Sequence, residues 1–314
     1  METRRVGSLE VSVAGLGCNN FGMRIDDDAS KLVVDAALEA GVNHFDTADV
    51  YSAGESETIV GKALAGGRRD DVVLATKFHG AMGRDANQQG NSRRWIVKEV
   101  ENSLRRLGTD HIDLYLLHQP DPETPIAETL SAFAKLVAAG KVLEVGCSNF
   151  SGAQLEEAEQ AAKDLGVPRF VNAQNDFSLL NRSVEDDVLP VCERLDVLLM
   201  PYFPLASGML TGKYRRGEEH PEGSRLAAWG PMASQFASEE RFDVVERLAE
   251  YAEAHGHTLA ELALSWLAGT PAVGSVIAGA TTPEQVRANA AATTAWALTA
   301  TERAEVDALA RVGD

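Results

Sequence analysis

Cysteine, positive charge and long apolar runs are all scarce in this chain, and each shortage closes off a class of function. Its three cysteines, Cys18, Cys147 and Cys192, stand far apart with no Cys-x-x-Cys pair, which argues against structural zinc and against a disulfide framework. Twenty-nine basic residues face 47 acidic ones, a formal charge of −18. Nucleic acid and anionic membrane are polyanions, so neither is expected as a partner. A small phosphate ligand is compatible with this charge, because helix N-termini and a few local cations can hold one. No stretch reaches the ~18 consecutive apolar residues of a membrane span. The opening Met-Glu-Thr-Arg-Arg leads into polar residues, so no signal peptide is expected and the cytoplasm is the expected compartment. His111, His118 and the His255-Gly-His257 pair lack metal-ligand spacing, and no metal site is expected. Gly15-Leu-Gly17-Cys-Asn-Asn20 has asparagine where a dinucleotide fingerprint needs its third glycine.

What is present is ordinary globular material: 45% hydrophobic and 24% charged residues over 314 positions, enough for a full-sized core. Apolar, β-rich runs near 12–17, 42–46, 72–77, 112–117, 142–147, 169–173, 197–201 and 274–278 read as strands. Helical patterns fall between them, near 28–40, 56–65, 92–107, 126–139, 151–164, 184–195, 239–268 (broken at Gly256) and 283–291. Ser92, Ser151 and Thr282-Pro283 fit helix starts, and Gly41, Gly108 and Gly140 fit helix ends. Strict alternation implies parallel strands with right-handed crossovers. Eight such units predict an α/β fold of the (β/α)8 TIM-barrel type, one domain spanning 1–314, rather than an open sheet. Arg5 to Val11 reads as an N-terminal β-hairpin with a Gly-Ser turn that plugs the barrel floor, and Thr299 to Arg311 as an extra C-terminal helix. Residues 205–237 form a segment too long for a passive connection.

In such a barrel, residues just past the strands' carboxyl ends meet at one mouth. Asp46, Tyr51, Lys77 and His118 all fall there. Any one of them alone would read as structural or solvated; four chemically matched groups at adjacent strand ends read as a proton-transfer site. Reducing a carbonyl needs a hydride on carbon and a proton on the emerging alkoxide, and a phenol of pKa ~10 suits the second task. A nearby lysine is expected to lower that pKa, and an aspartate to keep a buried lysine charged. His118 is placed to donate to the carbonyl oxygen. Asp49 and Glu57 read as structural.

These residues resemble the aldo-keto reductase family, whose catalytic tetrad carries the same four residue types at the same strand ends, and the resemblance covers nearly the whole chain. It implies Tyr51 as general acid, Lys77 and Asp46 as its tuning pair and His118 as orienter. It also implies NADPH as cofactor, with NADH the alternative. Val145-Gly-Cys-Ser148-Asn149 and Asn172-Ala-Gln174 resemble family motifs in which Ser148, Asn149 and Gln174 would hold the nicotinamide carboxamide. Ser148 could instead cap the next helix. The resemblance assigns Tyr202 to the nicotinamide face, where a core role is the alternative, and Leu205, Ser207, Gly208 and Lys213 to the pyrophosphate loop. Ala278 to Asn289 resembles the adenosine-binding turn, with Gly279, Thr281, Gln285 and Asn289 at contact positions. Gly279 and Gln285 stand where many NADPH-selective members carry cations, so Arg215, Arg216 and Arg225 of the long loop are candidates to replace them.

Phe21, Met23, Tyr51, Trp229 and the glycine-rich loop from His79 to Gly90 are candidate walls of a substrate pocket. No long C-terminal flap is expected over the mouth, which implies an open pocket for aldehydes, ketones or sugar-derived carbonyls. A monomer is the family default. Two rival readings follow from the same fold: an NADPH-binding regulatory subunit with little turnover, and an aldolase forming a Schiff base on Lys77.

Overall fold

A computed structural model of the chain describes residues 1–85, 87–230, 233 and 236–311. Strands β1 (Thr3–Val6) and β2 (Leu9–Ser12) pair antiparallel across the Gly7-Ser8 turn, as the sequence predicts. Eight parallel strands follow: β3 (Ala14–Gly17), β4 (His44–Asp46), β5 (Val73–Phe78), β6 (Ile112–Leu117), β7 (Val142–Ser148), β8 (Asn172–Gln174), β9 (Leu198–Leu199) and β10 (Val276–Gly279). They lie in chain order with β10 returning beside β3, and a parallel bridge from Leu199 to Val273 closes the ring. The expected (β/α)8 barrel is the fold.

Helices α1 (Asp27–Glu39), α2 (Glu55–Ala63), α3 (Arg93–Leu107), α4 (Ile126–Ala138), α5 (Gly152–Leu165) and α6 (Val188–Leu195) surround the first strands. A short α7 (Arg225–Trp229) sits in the long loop, then come α8 (Glu239–Ala254), α9 (Leu259–Ala268), α10 (Pro283–Ala292) and the extra helix α11 (Ala300–Leu309). Local chemistry sets these limits. Ser92 and Ser151 cap α3 and α5, and Thr282 caps α10 with Pro283 at its first turn. Gly256, at φ 78°, ends α8, and a Thr258/Glu261 capping box starts α9, so the long helical pattern is two helices.

Two cores result. The larger lies between the strands and the helices. The smaller fills the barrel, where Val6, Leu9 and Val11 of the hairpin pack on Ala75, Leu114, Leu116, Met200 and Ile277. The hairpin therefore stoppers the amino-terminal end, and the opposite rim is left to the loops. No helix among the described residues is long and apolar enough to cross a membrane.

Candidate active site

Parallel strands deliver their last residues to one rim, and the structure brings the expected proton-transfer residues together there. Asp46 ends β4, Lys77 is the penultimate residue of β5, and His118 follows β6. Lys77 is fully buried. Its Nζ donates to Asp46 Oδ1 at 2.6 Å, to the Thr47 carbonyl at 2.9 Å and to Tyr51 Oη at 3.4 Å. Three ammonium protons thus meet three acceptors. The second carboxylate oxygen, Asp46 Oδ2, accepts from Gln174 Nε2 at 2.8 Å. The Tyr51 and His118 rings stand edge to face with centroids 5.8 Å apart.

Burial alone would lower the Lys77 pKa, but Asp46 and Tyr51 together outweigh it and hold it above the usual lysine value. Tyr51 departs from the sequence expectation. Burial raises its pKa by more than Lys77 lowers it, so the phenol stays above its ordinary value. Burial, helped by Lys77, pushes His118 down to about 3. Its imidazole is therefore neutral and can donate a hydrogen bond without being an acid at ordinary pH.

A cleft of about 630 Å³ opens beside this group. All thirteen residues expected to hold a cofactor line it: Ser148, Asn149, Gln174, Tyr202, Leu205, Ser207, Gly208, Lys213, Arg225, Gly279, Thr281, Gln285 and Asn289. Asp46, Tyr51 and His118 face the same space, with Lys77 beneath the wall. Ser148 ends β7, while Ser151 caps α5, so the helix-capping alternative for Ser148 does not apply. Asn149, at φ 62°, is heavily engaged. Its Nδ2 donates to the His118 carbonyl at 2.9 Å and to Ser148 Oγ at 3.0 Å, and its Oδ1 accepts from Tyr202 Oη at 2.7 Å.

Beyond β9 the chain rolls through left-handed conformations at Phe203, Ala206, Ser207 and Gly208. Glycine suits the last because its φ of 97° strains any residue with a side chain. Arg225 lies over the Phe203 ring at 5.4 Å, and Arg24 donates to the Gly223 carbonyl at 2.6 Å. Thr281 donates to Gln285 Oε1 through both its N–H and its hydroxyl, at 2.8 and 3.1 Å.

Several expectations need correction. Arg216 is spent on Glu239, Asp243 and Glu246 of α8, and neither it nor Arg215 lines the cleft. Of the three candidate arginines only Arg225 does. Phe21 is fully buried in the outer core, Met23 is exposed away from the lining, and Trp229 packs on Phe236. The described residues of the 79–90 loop do not reach the cleft either; Ala86 lies outside the described residues.

The sequence reading also missed Asn19, Asn20, Arg24, Gln119, Thr211 and Ser224, which line the same space. Asn19, Asn20 and Gln119 were findable, because they directly follow strand ends. Arg24, Thr211 and Ser224 lie in loops and carry no such signal. Among the described residues no cluster of His, Cys, Asp and Glu is arranged to hold a metal ion.

The fold is thus a closed parallel barrel with a large cleft on its loop-bearing rim, the architecture shared by many enzymes. The chain belongs to the aldo-keto reductase family: the family model described as "Aldo/keto reductase family" matches residues 14–311. Members of this family are oxidoreductases that generally bind NAD(P)H. A protein of Oryza sativa subsp. japonica named "Probable voltage-gated potassium channel subunit beta" is 37% identical over 298 residues, covering 92% of this chain and 90% of that protein. "Aldo-keto reductase YhdN" of Bacillus subtilis is 35% identical over 310 residues, covering 96% and 90%. "Uncharacterized oxidoreductase YrpG" of the same organism is 36% identical over 290 residues, covering 89% and 86%.

Proposed function

We propose that the protein is a single-domain, cytoplasmic, monomeric aldo-keto reductase that reduces aldehyde or ketone carbonyls to alcohols, with NADPH preferred over NADH. The observation that carries the reading is Tyr51 Oη on the cleft wall, 3.4 Å from a buried Lys77 ammonium that Asp46 holds at 2.6 Å. The donor set of the cleft fits a pyridine nucleotide. Ser148 and Gln174 offer hydroxyl and amide groups to a carboxamide, and Tyr202 offers an aromatic face. Lys213, Arg225 and Arg24 are cations without a carboxylate partner among the described residues, suited to phosphates. When bound, the nicotinamide would supply the hydride.

The chain's own part is the proton. Tyr51 donates its phenolic proton to the developing alkoxide, and Lys77 stabilises the phenolate left behind. Asp46 keeps Lys77 charged and fixed. His118, being neutral, donates an N–H to the carbonyl oxygen and orients it, leaving Tyr51 as the acid. Loss of NADPH absorbance with a panel of aldehydes and ketones is the expected result.

The names of the potassium-channel relatives favour a second reading, an NADPH-binding regulatory subunit of a membrane partner. Tight binding of NADPH with no turnover across the panel would support that reading and refute the first. A Schiff-base role for Lys77 is disfavoured, because an ammonium held by three acceptors is a poor nucleophile.

A further inference from the structure

The turn that carries Tyr51 is strained. Ser52 and Ala53 sit at φ 50° and 54°, left-handed conformations that non-glycine residues adopt only when their surroundings impose them. On either side of this turn the chain buries a carboxyl group in one compartment outside the cleft lining. Glu57 of α2 and Glu99 of α3 are both fully buried and share Arg106, each at 2.5 Å. Thr76 of β5 donates to Glu57 at 2.6 Å, and Asn102 to Glu99 at 2.8 Å. Asp49 is the third carboxyl. It is fully buried, and neither of its oxygens has a hydrogen-bond partner of good geometry; the neighbouring Val50 N–H favours its charged form but is outweighed by burial. Tyr115 of β6 brings a hydroxyl that also lacks a partner. Lys77 turns the other way, onto Asp46.

Three carboxyls and one guanidinium cannot all be charged there at low cost, because a buried charge without a counterion is strongly disfavoured. Glu57 and Glu99 take the guanidinium. Asp49 is left without one, and burial with the nearby Glu99 and Glu57 carries its pKa up to about 8. Its backbone N–H meanwhile donates to the Lys77 carbonyl at 3.0 Å, tying the turn to the strand that bears the lysine.

We infer that Asp49 is a positioning residue for Tyr51: as an uncharged carboxylic acid packed beside the Glu57–Arg106–Glu99 triad, it holds the strained turn that presents the phenol to the cleft. The inference rests on the reading of Tyr51 as general acid. Ionising Asp49 would place an unpaired negative charge beside two carboxylates and loosen the turn.

The test compares the wild type with Asp49→Asn, which keeps the shape without the charge, and Asp49→Ala, which keeps neither. Turnover of the whole enzyme with NADPH and an aldehyde is followed from about pH 6 to about pH 9.5. Wild-type kcat is expected to fall on the alkaline side around pH 8. Asp49→Asn is expected to lack that fall. Asp49→Ala is expected to lose about ten- to a hundredfold in kcat with NADPH affinity unchanged, and Asp49→Asn to recover most of that loss. An alkaline fall that persists in Asp49→Asn, or wild-type kcat in Asp49→Ala, overturns the inference. Infrared difference spectra give an answer independent of turnover. A protonated-carboxyl band at neutral pH that Asp49→Asn removes supports the inference, and its absence from the wild type refutes it. An active Tyr51→Phe enzyme would instead sink the general-acid reading and leave the infrared result standing.

Discussion

Gln174 donates its side-chain N–H to Asp46 Oδ2 across 2.8 Å, joining the end of β8 to the end of β4 on the far side of the rim. With Lys77 on the other oxygen, the carboxylate is fixed at both atoms. The proposed nicotinamide and proton-transfer sites therefore share a residue, and disturbance of either one is expected to register in the other.

Replacing Tyr51 by phenylalanine removes the donor and keeps the ring that stands against His118. Carbonyl reduction is expected to fall about 10²- to 10⁴-fold, while fluorescence titration shows NADPH affinity unchanged. Wild-type turnover in this variant would mean that another group supplies the proton.

Asp46→Ala leaves the fully buried Lys77 ammonium without its counterion. A loss of about 3–5 kcal/mol is expected in urea unfolding. Replacing both residues by apolar ones of similar size should restore much of that stability without restoring activity. A single variant as stable as the wild type would show that the pair is dispensable to the fold.

Acid sensitivity should come from two buried imidazoles. His44, whose Nδ1 pairs with Ser275 Oγ at 2.9 Å, is pushed by burial to about 4, and His118 to about 3. Below pH ~6.5 the unfolded chain binds protons that the native state refuses, so stability present above that pH is lost as pH falls toward 4 and then 3. For His44 the loss should reach roughly 3 kcal/mol by pH ~4. Chemical unfolding from pH ~7 down to ~4 checks this, and His44→Gln should flatten the slope. Over the same range kcat/KM should show no ionisation from His118.

Lys213 and Arg225 line the cleft from the long loop. Changing either to methionine is expected to weaken NADPH binding by about tenfold or more, because hydrogen bonds to charged groups contribute roughly 1.5–3 kcal/mol. The wild type should bind NADPH more tightly than NADH in parallel titrations. Equal or tighter NADH binding would defeat the stated preference.

The rim residues are legible in the sequence because a parallel barrel sends every strand the same way. Whatever follows an apolar run, whether Asp46, His118 or Ser148, must face one mouth. Strand lengths are less legible. The apolar runs at 169–173 and 197–201 yield only Asn172–Gln174 and Leu198–Leu199 as strands, and Pro201 has no N–H to extend a ladder. Loop residues are the least legible. Nothing local says that Arg216 turns outward to three acids of α8 while Arg225 turns inward over Phe203. The burial that keeps Tyr51 above its ordinary pKa is likewise a product of the assembled barrel, where β-strand order sets what surrounds it.

With Val6, Leu9 and Val11 corking one end of the barrel, the cleft is a blind well. Any ligand of the cleft is therefore expected to enter and leave on the loop-bearing side, and none by way of the barrel floor.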